Sequence, residues 1–304
     1  MPRSRRTCHA VPGSNERFIA KAAGLQADEI FLDLEDAVAP NEKDSARERV
    51  IEALGTLEFK PGTTVVVRVN GTDTPHYYRD LIAVVEQAGD RLHAIMLPKV
   101  RTPGDVEMTA KLLTQIELAR GFEVGRIGIE AQIEDATGLI NCEAIATASP
   151  RMETLVFGPG DYSAAIGIPV TTIGAAPEGY PGDHLNYVYS RLVVAARAAG
   201  IQAIDGPYAR VGDDDGLRER SRLARALGLD GKWTIHPGQI EIVNEVFSPG
   251  REQWERAEAI LNAYEEAHRE GRGAATFEGE MIDEANRKMA ERIAESGRAA
   301  GYAR

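Results

Sequence analysis

Short apolar runs rich in β-branched residues alternate with amphipathic stretches along roughly the first 245 residues of the chain. Such runs, bounded by turn residues, are typical of buried strands. Eight strands are predicted in this way, at Cys8–Val11, Glu29–Asp33, Thr64–Val69, His93–Leu97, Ile127–Gln132, Thr154–Phe157, Gln202–Asp205 and Lys232–Ile235.

Helices are predicted between these strands, and glycine follows several of them, as is common at helix C-termini. The main ones are Asn15–Ala23, Lys43–Leu54, Tyr77–Gln87, Val106–Arg120, Leu139–Ala148, Leu185–Ala199 and Leu217–Leu227. Eightfold βα alternation predicts an α/β fold of the (β/α)₈ TIM-barrel type. The alternative is a doubly wound open sheet, which usually carries G-x-G-x-x-G after its first strand. The turn Val11–Asn15 does not contain that motif.

The composition changes after Phe247, where a charged helix over Glu252–Glu270 is predicted. A Gly-rich break and a last helix over Glu284–Ser296 follow, and the tail Gly297–Arg304 is expected to fray. The predicted domains are therefore a catalytic barrel at 1–247 and a C-terminal helical segment at 248–304. Because this segment is too small for a core of its own, we expect it to pack on the barrel or on a neighbouring subunit.

Composition narrows the class of protein. Of 304 residues, 43% are hydrophobic and 27% charged, which is ordinary for a globular protein and excludes a mostly disordered chain. The net charge of −12 argues against nucleic acid as a partner. No apolar run is long enough to span a membrane, and the basic N-terminus lacks the apolar region of a secretory signal. With Cys8 and Cys142 expected to be reduced thiols, we predict a cytoplasmic protein.

Polar side chains follow nearly every predicted strand, at the end where barrels of this type carry their chemistry. The residues at these positions are Asp33, Glu35, Asp36, Arg68, Asn70, Lys99, Glu130, Gln132, Glu134, Asp135, Asp161, Asp205 and His236. Any single acid is more simply explained as a helix N-cap or a residue of a solvated loop. Several acids on one rim, however, repel each other unless a cation compensates them.

The types of side chain available as ligands indicate which cation would bind. The six histidines are scattered, which argues against zinc, whereas carboxylates suit Mg²⁺ or Mn²⁺. Glu134 and Asp161 form the best ligand pair because they follow adjacent strands. Gly158 and Gly160 would let the backbone approach a ligand beside Asp161. Alternatively, Asp161 caps a helix over Tyr162–Ile166.

The basic residues on the rim have alternative roles. Arg68 either binds a substrate oxygen or forms an ion pair with Asp36 or Glu35. Lys99 is a possible Schiff-base lysine, but a rim crowded with carboxylates favours its charged form and hence a charge-balancing role. His236 is most simply a hydrogen-bonded rim histidine. No nucleophile with a partnered base is apparent, which argues against a triad hydrolase.

Eight motifs in order identify a resemblance. They are Val11–Asn15, Phe31–Pro40, Val67–Gly71, Met96–Val100, Phe157–Tyr162, Ile204–Pro207, Trp233–Pro237 and Glu278–Asp283. Together they resemble the HpcH/HpaI aldolase–citrate lyase β-subunit superfamily, and within it the L-malyl-CoA/β-methylmalyl-CoA lyases. The resemblance extends from about Arg3 to Ala294 and implies a TIM barrel whose C-terminal segment covers a neighbour's active site.

The resemblance also implies roles for individual residues. Glu134 and Asp161 would hold Mg²⁺ or Mn²⁺, and Glu35 and Asp36 would orient metal-bound water. Arg68 would contact the reacting oxygens, and Asp283 from the adjacent subunit would be the acid/base at the acyl carbon. The implied substrate-binding residues are Arg68, Gly160 and Asp161, and the implied CoA-binding residues are Ser14, Asn15, Lys21, Ile235 and His236.

The activity implied is metal-dependent, reversible cleavage of a β-hydroxyacyl-CoA such as L-malyl-CoA into an acyl-CoA and glyoxylate. The partners would be an acyl-CoA thioester and glyoxylate or a related 2-oxo acid, in a homotrimer or dimer of trimers. The alternatives are a malyl-CoA thioesterase or malate-synthase-like activity, a citrate lyase β subunit, and a non-catalytic barrel. The chain departs from the lyases at Asp135, where they carry threonine, and at Asn15, where some carry arginine. The segment Thr171–His184 is also shorter.

Overall fold

Eight parallel strands close into a barrel in the computed structural model, which describes residues 3–303. Each strand pairs with the next along the chain, and the eighth pairs with the first. The strands are β1 (Thr7–Pro12), β2 (Glu29–Asp33), β3 (Thr64–Arg68), β4 (Ala94–Leu97), β5 (Gly128–Ile133), β6 (Met152–Phe157), β7 (Gln202–Asp205) and β8 (Gly231–Thr234). The predicted (β/α)₈ barrel is therefore confirmed, and each predicted strand has a counterpart.

Helices connect the strands and surround the barrel. They are α1 (Glu16–Ala22), α2 (Lys43–Thr56), α3 (Tyr77–Ala88), α4 (Pro103–Arg120), α5 (Ala136–Ile140), α6 (Cys142–Ala146), α7 (Pro159–Ile166), α8 (Asn186–Ala199), α9 (Asp214–Ala226) and α10 (Ile240–Phe247). The single helix predicted over Leu139–Ala148 is wrong, because α5 and α6 are separated at Asn141. The Asn141 side chain donates to the carbonyl of Arg101 instead of facing solvent on a continuous helix.

In the middle of the barrel interior, seven strands contribute apolar side chains and β5 contributes polar ones. The apolar cluster comprises Cys8, Phe31, Val66, Ala94, Met96, Val156, Ile204 and Trp233. In β5, Glu130 pairs in register with the inward-facing Met96, and Gln132 pairs with the inward-facing Val156. Because side chains alternate along a strand, β5 directs Glu130 and Gln132 into the barrel. Its polar residues therefore have to find partners inside the barrel.

At the N-terminal end of the barrel, the partner of Glu130 is Arg5. Its guanidinium is buried and pairs with Glu29 at 2.8 Å, Glu130 at 2.8 Å and Glu153 at 2.5 Å. Burial raises the pKa of Glu130 well above its usual value, and the neighbouring Glu29 charge adds to that shift. One arginine therefore compensates a cluster of carboxylates in the floor of the barrel.

The chain divides into two compact units between Asn244 and Glu245. The second unit contains α11 (Arg251–Arg269), β9 (Ala275–Phe277), β10 (Glu280–Ile282) and α12 (Glu284–Ala299). β9 and β10 pair as an antiparallel hairpin, which the sequence analysis did not predict. The predicted domain boundary between Phe247 and Ser248 stays a prediction.

The expected fraying of the tail is wrong for the described part of Gly297–Arg304; Arg304 itself lies outside the described residues. α12 continues to Ala299, and a Cβ on Gly297 would lie 2.2 Å from the Trp254 ring. The Tyr302 ring packs on Trp254 at 5.5 Å, and its hydroxyl donates to Pro249 O at 3.1 Å. These aromatic contacts hold the tail against α11.

We predict that Arg5→Met lowers the free energy of unfolding by about 3–5 kcal/mol, because it leaves buried carboxylates without their cation. Urea denaturation at neutral pH measures this. The control is Arg91→Met, which removes an exposed arginine paired with exposed Glu58 and should leave the midpoint nearly unchanged. Equal midpoints for the two variants would contradict the role given to Arg5.

Candidate active site

A buried ion pair between Arg68 and Asp33 lies at the C-terminal end of the barrel. The two residues end β3 and β2 and are register partners. Arg68 Nε and Nη2 donate to Asp33 Oδ1 and Oδ2, both at 2.7 Å, and Nη1 lies 3.3 Å from Glu35 Oε2. Burial opposes the charge of Arg68, but the Asp33 carboxylate outweighs it and raises its pKa. Of the two expected partners, Glu35 lies at ion-pair distance from Arg68, whereas within residues 3–303 Asp36 does not; the bidentate partner is Asp33, which was not expected.

Glu134 follows β5 and is almost fully buried at the same rim. Its Oε1 accepts a hydrogen bond from Lys99 N and its Oε2 accepts one from Gln132 Nε2, both at 2.7 Å. Burial raises the pKa of Glu134 to about 8, and the charges of Asp161 and Glu35 act in the same direction. The position therefore favours a positive charge beside this carboxylate.

Gln132 connects the two groups. Its Nε2 donates to Glu134, and its Oε1 accepts a hydrogen bond from Arg68 Nη1 at 3.2 Å. The side chain is buried, so both ends of the amide are held. The orientation of the Glu134 carboxylate is consequently coupled to that of the Arg68 guanidinium.

Glu35 and Asp36 share Lys99 as a partner. Lys99 Nζ contacts Glu35 Oε1 and lies 3.1 Å from Asp36 Oδ1. Burial raises the pKa of Glu35, whereas at the exposed Asp36 side-chain hydrogen bonding with Glu35 and Lys99 outweighs burial and lowers the pKa.

For Lys99 itself, burial acts to lower the pKa, but hydrogen bonds to Glu35 and Asp36 outweigh burial and raise it. Its backbone has a positive φ of 54°, which aims its N–H at Glu134. The geometry supports charge balancing by Lys99 and argues against Schiff-base chemistry.

Asp161 lies in the first turn of α7, two residues after the helix begins at Pro159. The helix start predicted at Tyr162 is therefore wrong, and Gly158 takes the N-cap position. The Asp161 side chain is exposed, and its carboxylate accepts no hydrogen bond within the part of the chain described. It is close enough to Glu134 to oppose ionisation of that carboxyl.

Gly158 and Gly160 are both sites of close approach, but to protein atoms. A Cβ on Gly158 would lie 2.4 Å from Glu134 Oε2, and one on Gly160 would lie 3.1 Å from Ile173 Cδ1. The space beside each Cα is therefore filled by Glu134 or Ile173. The substrate-binding role of Gly160 stays a prediction.

The residues of the rim fit a magnesium ion. Within residues 3–303, no group of three or more His, Cys, Asp or Glu side chains is placed to hold a metal. Mg²⁺ needs fewer, because it is usually bound by one or two carboxylates together with substrate oxygens and water. Glu134, in surroundings that oppose its negative charge, and the unpartnered Asp161 carboxylate supply that donor set.

The predicted CoA-binding residues lie beyond β1 and β8, which are neighbours in the barrel. Asn15 caps α1 by accepting from Phe18 N at 3.1 Å, and Ser14 precedes it. Lys21, Ile235 and His236 are exposed, and His236 Nδ1 accepts from Gly238 N at 3.1 Å. The structure places Ser14, Asn15, Ile235 and His236 just after two adjacent strands and Lys21 in the last turn of α1, and their role stays a prediction.

Two further acids are helix caps. Asp135, the departure from the lyase pattern, caps α5 and pairs with Arg101 at 2.5 Å, so its side chain is engaged outside the metal pair. Asp283 lies in the second unit, where it is exposed and caps α12 by accepting from Ala285 N and Asn286 N. Capping leaves its catalytic role a prediction.

Two residues of the site received no role from the sequence. Asp33 was noted only as a polar residue after a strand, because its partner depends on strand register. Gln132 was likewise noted without a function. Its alternation with Glu130 and Glu134 at every second position is the signal that would have placed all three inside the barrel.

Comparison with known proteins identifies a matching family and several similar proteins. A family model described as HpcH/HpaI aldolase/citrate lyase matches residues 6–237. An L-malyl-CoA/β-methylmalyl-CoA lyase of Cereibacter sphaeroides is 40% identical over 93% of this chain and 91% of its own length. A (3S)-malyl-CoA thioesterase of the same species is 38% identical over 90% of this chain and 87% of its own.

Among solved structures, the chain is similar to the protein CitE from Mycobacterium tuberculosis in complex with magnesium, acetoacetate and coenzyme A. That structure has a TM-score of 0.76 and 30% identity and covers 98% of this chain and 99% of its own. The similarity therefore extends through both compact units.

We predict that acetic anhydride at pH 8, without divalent metal, modifies Lys99 at least about tenfold more slowly than Lys43. Both side chains are half-buried, but burial lowers the pKa of Lys43 whereas the pKa of Lys99 is raised. Only the unprotonated amine reacts, and each pKa unit changes its fraction about tenfold. Peptide mass spectrometry measures both rates, and equal rates would contradict the charge-balancing role of Lys99.

Proposed function

The chain belongs to the HpcH/HpaI aldolase/citrate lyase family, and on this basis we propose that it is a metal-dependent C–C lyase acting on a β-hydroxyacyl-CoA. L-malyl-CoA or β-methylmalyl-CoA is the proposed substrate type, and an acyl-CoA and glyoxylate are the products. The family predicted from the motifs is confirmed by these matches. The predicted lyase activity and magnesium cofactor agree with the names of the relatives.

The observation that carries this proposal is the Glu134–Gln132–Arg68 arrangement. It places a carboxylate suited to a divalent metal and a buried guanidinium on either side of one amide. A bound Mg²⁺ would polarise the carbonyl of the 2-oxo acid and neutralise charge at Glu134 and Asp161. Arg68 is then placed to stabilise negative charge on the other half of the substrate.

Arg68 stabilises the thioester enolate that forms when the C–C bond breaks. Asp33 engages Nε and Nη2, so the orientation of the guanidinium is fixed before substrate binds. Nη1 faces Gln132 and Glu35 and is the donor directed at the rim. A preorganised donor of this kind stabilises developing charge without reorganisation. Glu35 and Asp36, held by Lys99, would orient water at a metal bound by Glu134 and Asp161.

Asp283 of a neighbouring subunit completes the reaction. In cleavage it delivers a proton to the α-carbon of the thioester enolate, and in condensation it removes that proton. In cleavage the hydroxyl proton passes to water and the α-carbon gains one proton from Asp283, which takes a proton back from water, so no proton is gained or lost overall. This role requires a homo-oligomer, which we propose to be a trimer or dimer of trimers.

The thioester substrate would bind at the β1 and β8 ends through Ser14, Asn15, Lys21, Ile235 and His236. Within residues 3–303, no helix has the length and apolarity to cross a membrane. We propose a cytoplasmic location, in line with soluble CoA thioesters as substrates.

A malyl-CoA thioesterase is the second candidate. The observation that favours it is the 38% identity to a protein of that name over most of both chains. In that case water would attack the thioester carbonyl and release free CoA, with the same groups binding the hydroxy acid.

We predict that the protein converts L-malyl-CoA to glyoxylate and acetyl-CoA with Mg²⁺ and that EDTA abolishes this activity. The metal requirement follows from the charge of Glu134 and Asp161, and Glu134→Gln should lower kcat/KM at least about 100-fold. Separate assays for glyoxylate, acetyl-CoA, free CoA and malate measure the products. Free CoA and malate without glyoxylate would contradict the lyase and support the thioesterase.

We further predict that Asp283→Asn and Glu134→Gln proteins, each inactive alone, recover activity when mixed after subunit exchange. Each mixed site takes its barrel from one chain and its Asp283 from another. Asparagine keeps an oxygen acceptor for the first turn of α12, so the helix cap is preserved. No recovery after mass spectrometry has confirmed mixed oligomers would contradict a shared site.

A further inference from the structure

Ile173 lies directly against the turn that carries Asp161. A Cβ on Gly160 would lie 3.1 Å from Ile173 Cδ1, 3.3 Å from Cγ1 and 3.8 Å from Cγ2. The isoleucine therefore packs against this turn so closely that even a methyl group at position 160 would require it to shift by a few tenths of an ångström. Gly160 immediately precedes Asp161, so this contact adjoins the proposed metal ligand.

The backbone around Ile173 is fixed by the segment that follows β7. Ile173 O accepts a hydrogen bond from Ala209 N at 3.1 Å. Gly174 has a φ of +80°, and a Cβ there would lie 2.6 Å from Pro207 O. Because only glycine adopts this conformation readily and tolerates this approach, the chain is pressed against the end of β7 at this point.

The end of β7 is in turn packed on the start of α7. A Cβ on Gly206 would lie 2.1 Å from Pro159 Cδ and 2.5 Å from Phe157 O. Three glycines, at 160, 174 and 206, thus allow the ends of β6 and β7 and the connecting segment to close on one another. Ile173 is held over the Asp161 turn by backbone packing on both sides.

Ile173 nevertheless keeps 41% of its surface exposed. A β-branched side chain has few rotamers, and one of its faces already packs on Gly160. Its exposed face is an apolar surface on a rim otherwise lined by charged groups. The side chain is therefore a stiff apolar group beside the turn that carries Asp161.

We propose that Ile173 is a specificity-determining residue that limits the size of the substituent on the carbonyl carbon of the 2-oxo acid. It favours hydrogen, as in glyoxylate, over methyl, as in pyruvate. This rests on the proposed function, in which that carbonyl lies at the metal held by Glu134 and Asp161. The role of Ile173 is steric, and it neither transfers a proton nor stabilises a charge in the reaction.

Two substrates each differ from L-malyl-CoA by one methyl group, and the methyl groups lie on opposite sides of the bond that breaks. Comparing them shows on which side Ile173 acts. Citramalyl-CoA carries the methyl on the hydroxyl-bearing carbon, which becomes the carbonyl carbon of pyruvate on cleavage. β-Methylmalyl-CoA carries it on the carbon bonded to the thioester carbonyl, on the other side of the bond that breaks. A wall at Ile173 affects the first substrate and leaves the second unchanged.

The experiment compares kcat/KM for the three thioesters in the unmodified protein, Ile173→Ala, Ile173→Phe and Ile166→Ala. We expect Ile173→Ala to raise the citramalyl-CoA to L-malyl-CoA ratio about tenfold, within the range that one methyl group commands in an apolar pocket. Ile173→Phe lowers the same ratio. The β-methylmalyl-CoA to L-malyl-CoA ratio stays within about twofold. Ile166, 43% exposed on α7, is the matched control and changes neither ratio.

An unchanged citramalyl-CoA ratio in Ile173→Ala, or equal changes in both methyl ratios, would overturn the inference while leaving the lyase intact. The same shift in Ile166→Ala would also overturn it, because it would indicate a general loosening of α7. Failure of the unmodified protein to cleave any of the three thioesters would overturn the proposed function and, with it, this assignment.

Discussion

The buried ion pair between Arg68 and Asp33 is the interaction on which the catalytic end of the barrel depends. A guanidinium in the barrel interior has to keep a carboxylate, because an unpaired buried charge costs several kcal/mol. Parallel register places Asp33 beside Arg68, and bidentate pairing takes two of its three nitrogens. The direction of the remaining nitrogen, toward Gln132 and Glu35, follows from this constraint.

The two ends of the barrel compensate buried negative charge in different ways. At the floor, Arg5 is a permanent internal cation for Glu29, Glu130 and Glu153. At the mouth, Lys99 is occupied by two other acids, and within the described residues Glu134 receives hydrogen bonds only from neutral groups. Burial then raises the pKa of Glu134 to about 8, which an added divalent cation would reverse. The N-terminal end therefore carries its own stabilising cation, and the C-terminal end is suited to an exchangeable metal.

Two glycines, which have no side chain, shape the C-terminal end of the barrel as much as the charged groups do. Gly158 gives Glu134 its place at the rim, and Gly160 leaves room for Ile173. A Cβ at either position would displace a group beside the metal pair. Close backbone packing on this side of the barrel therefore links the position of the proposed metal ligands to Ile173, the proposed specificity residue.

The sequence by itself determined the eight strands, the end of the barrel that carries the acids, and Glu134 and Asp161 as the ligand pair proposed for a metal. These depend on local periodicity and on the rule that parallel strands end at one rim. Tertiary structure decided which acid binds Arg68, the bridging role of Gln132, the break at Asn141 and the packing of the C-terminal tail. It also placed Ile173 over Gly160. Each of these depends on strand register or on contacts between residues distant in the chain, and local patterns carry no information about such distances.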